Sequence, residues 1–166
     1  MVDLDLKALV SRLNDHTKTN LHTAAGSCIS RGHYEVTLEH HLAALMEESR
    51  SDIPMILEHF DIQERKFKIA LQNTLEGLKR GAPGKPVFSP LLLEWFQDAW
   101  LLGSVEYDAP EVRSGHLLLA LVSRGSRYAT GDMVRVLSAI KKDTLKDSFF
   151  GITAGSIEEP TVRESS

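Results

Sequence analysis

The sequence holds a single cysteine, Cys28, so no disulfide can form within the chain, in keeping with a reducing compartment. It also lacks any stretch near the ~18 uncharged apolar residues of a membrane span. Its first residues, Met1-Val-Asp-Leu-Asp-Leu-Lys7, carry acid where a signal peptide carries base, and the expected location is cytoplasmic. Positive charge is not in excess: 19 Lys+Arg against 23 Asp+Glu leave a net charge of −4. That balance argues against nucleic acid or an anionic membrane as the main partner. Alternating apolar and polar runs long enough for a strand are missing as well. What is present is a chain of 166 residues, 42% hydrophobic and 25% charged, the ordinary make-up of a globular protein. Such a chain buries roughly 70% of its unfolded surface.

Helical spacing of apolar residues runs almost throughout. Leu4, Leu6, Leu9, Val10 and Leu13 predict a short amphipathic helix from Asp5 to Asn14, with Asp3 or Asp5 at its acidic start. A second helix is expected from about Thr17 to Arg31 and stops at Gly32. Its Leu21, Ala24, Ala25, Cys28 and Ile29 form a face of mainly small residues. Thr37 caps a third helix with His40 at the position where a capping box carries Glu or Gln, and Asp52 caps a fourth. Ile62 to Lys79 repeats the period and is cut off by Gly81-Ala-Pro-Gly-Lys-Pro86. Ser89-Pro90 then starts a long helix through Leu92, Leu93, Phe96, Trp100 and Leu101. Val112 to Ser123, Asp132 to Ile140 and a shorter segment ending near Phe150 follow, so the fold class is all-α.

The chain also repeats itself. Tyr34-Glu-Val-Thr-Leu-Glu-His-His-Leu-Ala-Ala-Leu45 aligns without a gap on Pro110-Glu-Val-Arg-Ser-Gly-His-Leu-Leu-Leu-Ala-Leu121, with six of the twelve positions identical. After a shift of four residues, Asp52-Ile-Pro-Met-Ile-Leu57 falls on Asp132-Met-Val-Arg-Val-Leu137. Two copies of one multi-helix unit, residues 17–80 and 89–150, are expected to pack about a pseudo-two-fold axis. An extra helix at about 4–14 stands outside the repeat. Residues 151–166, with Gly, Ser, Pro and acid but no helical period, read as the start of a flexible linker to a longer protein.

Several chemical readings fail on spacing. Gly81-Ala-Pro-Gly-Lys-Pro86 is no phosphate loop, because Lys79 and Pro86 stand where Gly and Ser or Thr are needed, and proline removes a backbone donor. His40 and His41 point ~100° apart on a helix and cannot ligate one ion. Since His40 and His116 hold equal places in the two copies, they are read as structural, bonding the preceding loop at a helix start. Cys28 permits a Cys-His nucleophile on paper, but its setting among small packed residues predicts a buried, unreactive thiol. Glu94 and Asp98 are read as a solvated helix face. No catalytic residue, metal or cofactor is expected in this chain.

The doubled Val-x-x-x-His-Leu-Leu-type pattern resembles the Clp N-terminal domain, the substrate-recruiting module of Clp/Hsp100 AAA+ ATPases, over about Thr17 to Phe150. More narrowly, Cys28-Ile-Ser-Arg-Gly-His-Tyr-Glu-Val36, Ser89-Pro-Leu-Leu, Ala99-Trp100 and Arg113-Ser-Gly-His-Leu-Leu119 are similar to the N domains of ClpV-type ATPases of bacterial type VI secretion, which also carry an extra amino-terminal helix. The resemblance implies capture of a short helix near the amino terminus of a sheath subunit, so that ATPase rings outside this chain can take contracted sheath apart. It further implies a hexameric full-length protein whose ATP sites lie beyond Ser166, with the isolated domain a monomer. The expected contact set is Leu9 and Leu13 from the extra helix, Thr19, Asn20, Thr23, Ala24 and Ser27 from the next, and Phe88, Ser89, Leu91 and Leu92 at the end of the linker. An amphipathic guest helix would lay its apolar face there. An N domain that recruits an adaptor or an N-terminal degradation signal is the alternative within binding modules, and a small hydrolase using Cys28 the alternative of another class.

Overall fold

A computed structural model describes residues 6–129 and 131–160. The first copy comprises α2 (Asp15–Arg31), α3 (Leu38–Leu45), α4 (Asp52–His59) and α5 (Glu64–Glu76), preceded by α1 (Leu6–Ser11). The second comprises α6 (Pro90–Tyr107), α7 (Ser114–Ser123), α8 (Gly125–Tyr128), α9 (Asp132–Leu137), α10 (Lys142–Asp147) and α11 (Phe149–Ile152). Asp3, Leu4 and Asp5, expected at the start of the extra helix, lie outside the described residues.

The two copies are built on the same local signals. Thr37 caps α3 through its hydroxyl while His40 Nδ1 accepts the Thr37 backbone N–H at 2.9 Å. In α7 the matching His116 Nδ1 accepts the Arg113 N–H at 3.0 Å. Gly32 ends α2 at φ +70°, a left-handed conformation that glycine adopts without steric cost. α3 and α7 are buried nearly all round and form the centre of the molecule, with Leu42, Leu45, Leu117, Leu118 and Leu121 fully enclosed. α2 packs on α3, and α6 packs on α7. At Gly103 an added Cβ would stand 2.8 Å from His116 Nδ1, so only glycine lets α6 approach α7 so closely.

Two short parallel pairings strap each copy to the other. β1 (Glu35–Val36) pairs with β2 (Val87–Phe88), the residues just before α6. In the matching place of the other half Leu13, just before α2, pairs with Val112, through Asn14 N–H to Val112 O at 2.9 Å and Val112 N–H to Arg12 O at 2.7 Å. This pairing corrects two expected boundaries. The extra helix ends at Ser11 rather than Asn14, and α2 begins at Asp15 because Asn14 caps it by accepting the Thr17 N–H at 2.9 Å. Asp52 is likewise the first residue of α4 and not its cap, and its carboxylate turns instead to Arg113.

The expected linker is corrected up to Glu158. Ile152, Thr153, Ser156 and Glu158 are buried, and Ile157 N–H bonds Arg50 O at 2.9 Å. The Glu158 carboxylate accepts the backbone N–H groups that open α4 and α7, from Asp52 at 2.8 Å and Ser114 at 2.7 Å, along with Asn14 Nδ2 at 3.1 Å. A carboxylate at two helix N-termini is favoured by the helix dipoles, which is the force that holds this polar segment down. Residues 161–166 lie outside the described residues.

Candidate peptide-binding face

α2 and α6 occupy matching places, and their burial fixes the register. Thr17, Leu21, Ala24 and Cys28 face inward from α2, and Leu92, Phe96, Ala99 and Gly103 face inward from α6 at the same spacing. On this register Thr19, Asn20, Thr23 and Ser27 match Glu94, Trp95, Asp98 and Leu102, and Ala25 matches Trp100.

The two outer faces differ in what covers them. On α6, Arg127 forms a two-pronged pair with Glu94 at 2.6 and 2.8 Å, Arg124 meets Asp98 at 2.5 Å, and the Tyr128 hydroxyl also bonds Asp98. Glu94 and Asp98 are therefore half-buried and ion-paired, not the freely solvated face expected of them, and the Arg127 guanidinium holds the Glu94 carboxyl below its usual range. α1 packs on α6 as well, with the Arg12 guanidinium 5.0 Å from the Trp100 ring centre. On α2, Thr19 and Thr23 are exposed and Asn20, Ala25 and Ser27 are partly so. The segment that takes the place of α1 before α6 is Gly81–Pro86, which is not helical and bonds the far end of α2 through Ala82 N–H to Gly32 O at 3.1 Å.

The expected contact residues therefore divide. Leu9, Leu13, Ala24 and Leu92 are at most 4% exposed and close the core, so their side chains offer no surface to a guest. Docking of α1 needs Leu9 and Leu13 for itself, since a helix of six residues has no stability alone. Ser89 is buried as the cap of α6, where its hydroxyl accepts the Leu91 N–H at 3.2 Å. Thr19, Asn20, Thr23, Ser27, Phe88 and Leu91 keep exposed surface. Phe88 sits in β2 beside Val36, and β1 is tied to α2 by the Cys28 thiol, which donates to Glu35 O at 3.2 Å. Thr19, Asn20, Thr23 and Ser27 thus stand on the outer face of α2, and Phe88 and Leu91 on the sheet and at the start of α6.

The floor between these helices is held by His41. Its Nε2 lies 2.9 Å from Thr17 O, and its ring meets Trp95 and Phe96 edge-on at 6.0 and 5.4 Å. Burial pushes its pKa down to about 4, so at neutral pH it is an uncharged donor that joins α2, α3 and α6. Cys28 is fully buried and burial raises its thiol pKa, which removes the nucleophile that a Cys-His hydrolase would need. Among the described residues no group of three or more His, Cys, Asp or Glu is arranged to hold a metal ion, and no helix is long and apolar enough to cross a membrane.

The cover formed by α8 was not read from the sequence, and Ala25, read there only as part of a small-residue face, takes its match to Trp100 from the burial register: the repeat alignment carried back without a gap sets Ala24 there instead.

The model of the Clp repeat (R) N-terminal domain family matches residues 12–134. That match stops short of α1. The N-domain of ClpV from Vibrio cholerae is 35% identical, covers 95% of both chains and superposes with a TM-score of 0.90. A complex of a ClpV N-domain with a VipB peptide is likewise 35% identical, at a TM-score of 0.88 over 95% of this chain and 97% of that one. Chaperone protein ClpB of Yersinia enterocolitica is 29% identical over 92% of this chain, which spans only 17% of that protein. With its two strapped copies, paired capping histidines and family match over most of its length, the chain belongs to the Clp repeat N-terminal domain family.

Proposed function

We propose that the chain is the substrate-recognition N domain of a ClpV-like AAA+ disaggregase, and that it captures an amphipathic helix near the amino terminus of a type VI secretion sheath subunit. The observation that carries this reading is the uncovered outer face of α2, whose counterpart on α6 is filled by α1 and α8. A guest helix lies along Thr19, Thr23 and Ser27, where small side chains allow its backbone close, and sets its apolar anchors against Phe88 and Leu91. The VipB peptide bound by a ClpV N-domain of the same fold supports the same use here. The superposition on that fold covers 95% of this chain, and α1 falls outside the general family match, which supports the narrower ClpV-like assignment.

On this reading the chain works in the cytoplasm, performs no catalysis, and takes no cofactor. ATP is consumed by ATPase domains outside these residues, in a hexamer. A single face of this size binds weakly, and several domains on one ring multiply that into avidity for a polymeric sheath. Degron capture needs a carboxylate held where it can meet a free α-amino group, and at Thr19, Asn20, Thr23 and Ser27 the face presents hydroxyls and one amide, with Asp15 only at the first turn of α2. Acetylated and free-amine peptides should therefore bind equally.

The test is fluorescence anisotropy with a synthetic amino-terminal sheath helix. Thr23→Trp, which restores bulk to the open face, and Phe88→Ala should each weaken binding about tenfold or more while the circular-dichroism spectrum is unchanged. Unaltered affinity in both variants overturns the proposal.

A further inference from the structure

A second recessed site lies on the opposite side of β1 from the core. A cavity of about 560 Å³ is lined by His33, Tyr34, Leu78, Lys79, Lys85 and Val87. Its walls are mostly apolar: Tyr34 and Val87 are 40% and 61% exposed. Two ammonium groups stand on its rim, with Lys79 lying 5.3 Å from the Tyr34 ring centre. Arg31 and Arg80 are near enough to His33 to lower its pKa, after the larger effect of burial. Glu35 also lines the cavity, so two cations face one anion there.

His33 itself is 1% exposed, and its Nε2 has no hydrogen-bond partner among the described residues. The neighbouring bonds set which ring nitrogen carries its proton. His40 Nδ1 accepts the Thr37 backbone N–H, so the His40 proton is on Nε2, 2.8 Å from His33 Nδ1. His33 Nδ1 must then accept, and its Nε2–H is a donor. A buried donor left unmatched is destabilising, and an incoming acceptor relieves that cost. His16, His41 and His116 also have an unpartnered ring nitrogen, but His16 is not among the residues lining this cavity, and aromatic rings pack on the other two: Trp95 and Phe96 on His41, Tyr107 and Phe149 on His116.

We propose that this cavity binds a carboxylate carried on an apolar stem, the chemistry of an apolar residue at the C-terminus of a peptide. His33 Nε2–H and the two lysine ammonium groups meet the carboxylate, and Tyr34, Leu78 and Val87 take the stem. The site is separate from the outer face of α2 and does not depend on what binds there.

N-acetyl-leucine is the probe, N-acetyl-leucinamide its neutral counterpart, and inorganic phosphate the bare anion. Each is titrated into the 166-residue chain while the His33 Nε2 resonance is followed by imidazole nitrogen NMR. N-acetyl-leucine should shift that resonance saturably, and Lys79→Glu with Lys85→Glu should weaken it by about fivefold or more. Both lysines are exposed, so the double variant keeps the fold. No saturable shift overturns the proposal. So does an equal shift by the neutral amide, which removes the carboxylate, or phosphate binding as tightly, which removes the stem.

Discussion

The two copies of the repeat start from the same scaffold and use its outer face in opposite ways. In the second copy α6 carries Trp100, Glu94 and Asp98 outward, and α1 and α8 settle on them. In the first, α2 carries Ala25, Thr19 and Thr23 at the matching places, and the outer face stays open. The histidine pairs differ in the same sense. His116 lies in a cluster of near-parallel rings with Tyr107 and Phe149, whereas His40 hands its proton side to His33, which lines a cavity. Duplication supplied two equivalent outer faces. One is filled by the chain's own segments, and the other carries no such cover among the described residues.

The comparison breaks hardest at the residues before α3 and α7, Thr37 and Arg113. Both precede a histidine-bearing helix, yet Thr37 is a hydroxyl cap and Arg113 is a buried cation locked to Asp52 at 2.7 and 2.9 Å. Arg113→Met leaves Asp52 and Glu158 buried together without their counter-charge and should cost about 3–5 kcal/mol. Thr37→Ala removes only a cap and should cost about 1 kcal/mol. Urea unfolding measures both. Equal losses would show that the buried ion pair adds nothing beyond capping and that the second copy is not specially tied to the tail segment.

Acid acts on both copies through neutral buried histidines. Burial holds His40, His41 and His116 at about 4, below the ~6.5 of an unfolded histidine. Between those values the unfolded chain binds more protons than the folded one. The stability these groups lend is thus full above pH ~6.5 and is lost as pH falls toward 4, by up to about 3 kcal/mol for each. Glu158 opposes them: burial raises its pKa, so protonation on acidification relieves a strain present at neutral pH. His116→Gln keeps a side-chain acceptor for the Arg113 N–H, in the manner of a capping-box glutamine, and should flatten the acid limb of a thermal-melt series by one histidine's share. An unchanged limb would mean that His116 titrates normally in the folded chain.

How much of this was legible in the sequence depended on the kind of force involved. The helices and the duplication were readable because apolar spacing and His40 and His116 are local signals. The tail segment was not, because its few apolar residues, such as Ile152 and Ile157, follow no helical period. Glu158 is held by Asn14, Asp52 and Ser114, residues 44 to 144 positions away, through hydrogen bonds that leave no period in the sequence. The division within the expected contact residues was hidden for a related reason. An amphipathic face that packs inward, as at Leu9, Leu13, Ala24 and Leu92, has the same spacing as one that awaits a partner, and only the fold says which helix already has its cover. The two-residue strands were too short for alternation to show.

The smallest effect expected is also the one that isolates what closes the α6 face. Arg127 is half-exposed and pairs with Glu94 in contact with water, so the pair is screened by salt and contributes little to folding. Arg127→Ala should lower the melting temperature slightly at low ionic strength and not at all at about 1 M salt, where the screening length is only about 3 Å. If the proposed sheath helix binds α2, the second copy should still reject it, because Trp100 and the docked α1 continue to occupy the face, and calorimetric titration should keep giving one peptide per chain. A stoichiometry of two in this variant alone would mean that one exposed ion-paired arm, rather than bulk and a bound helix, decides which copy of the repeat is open.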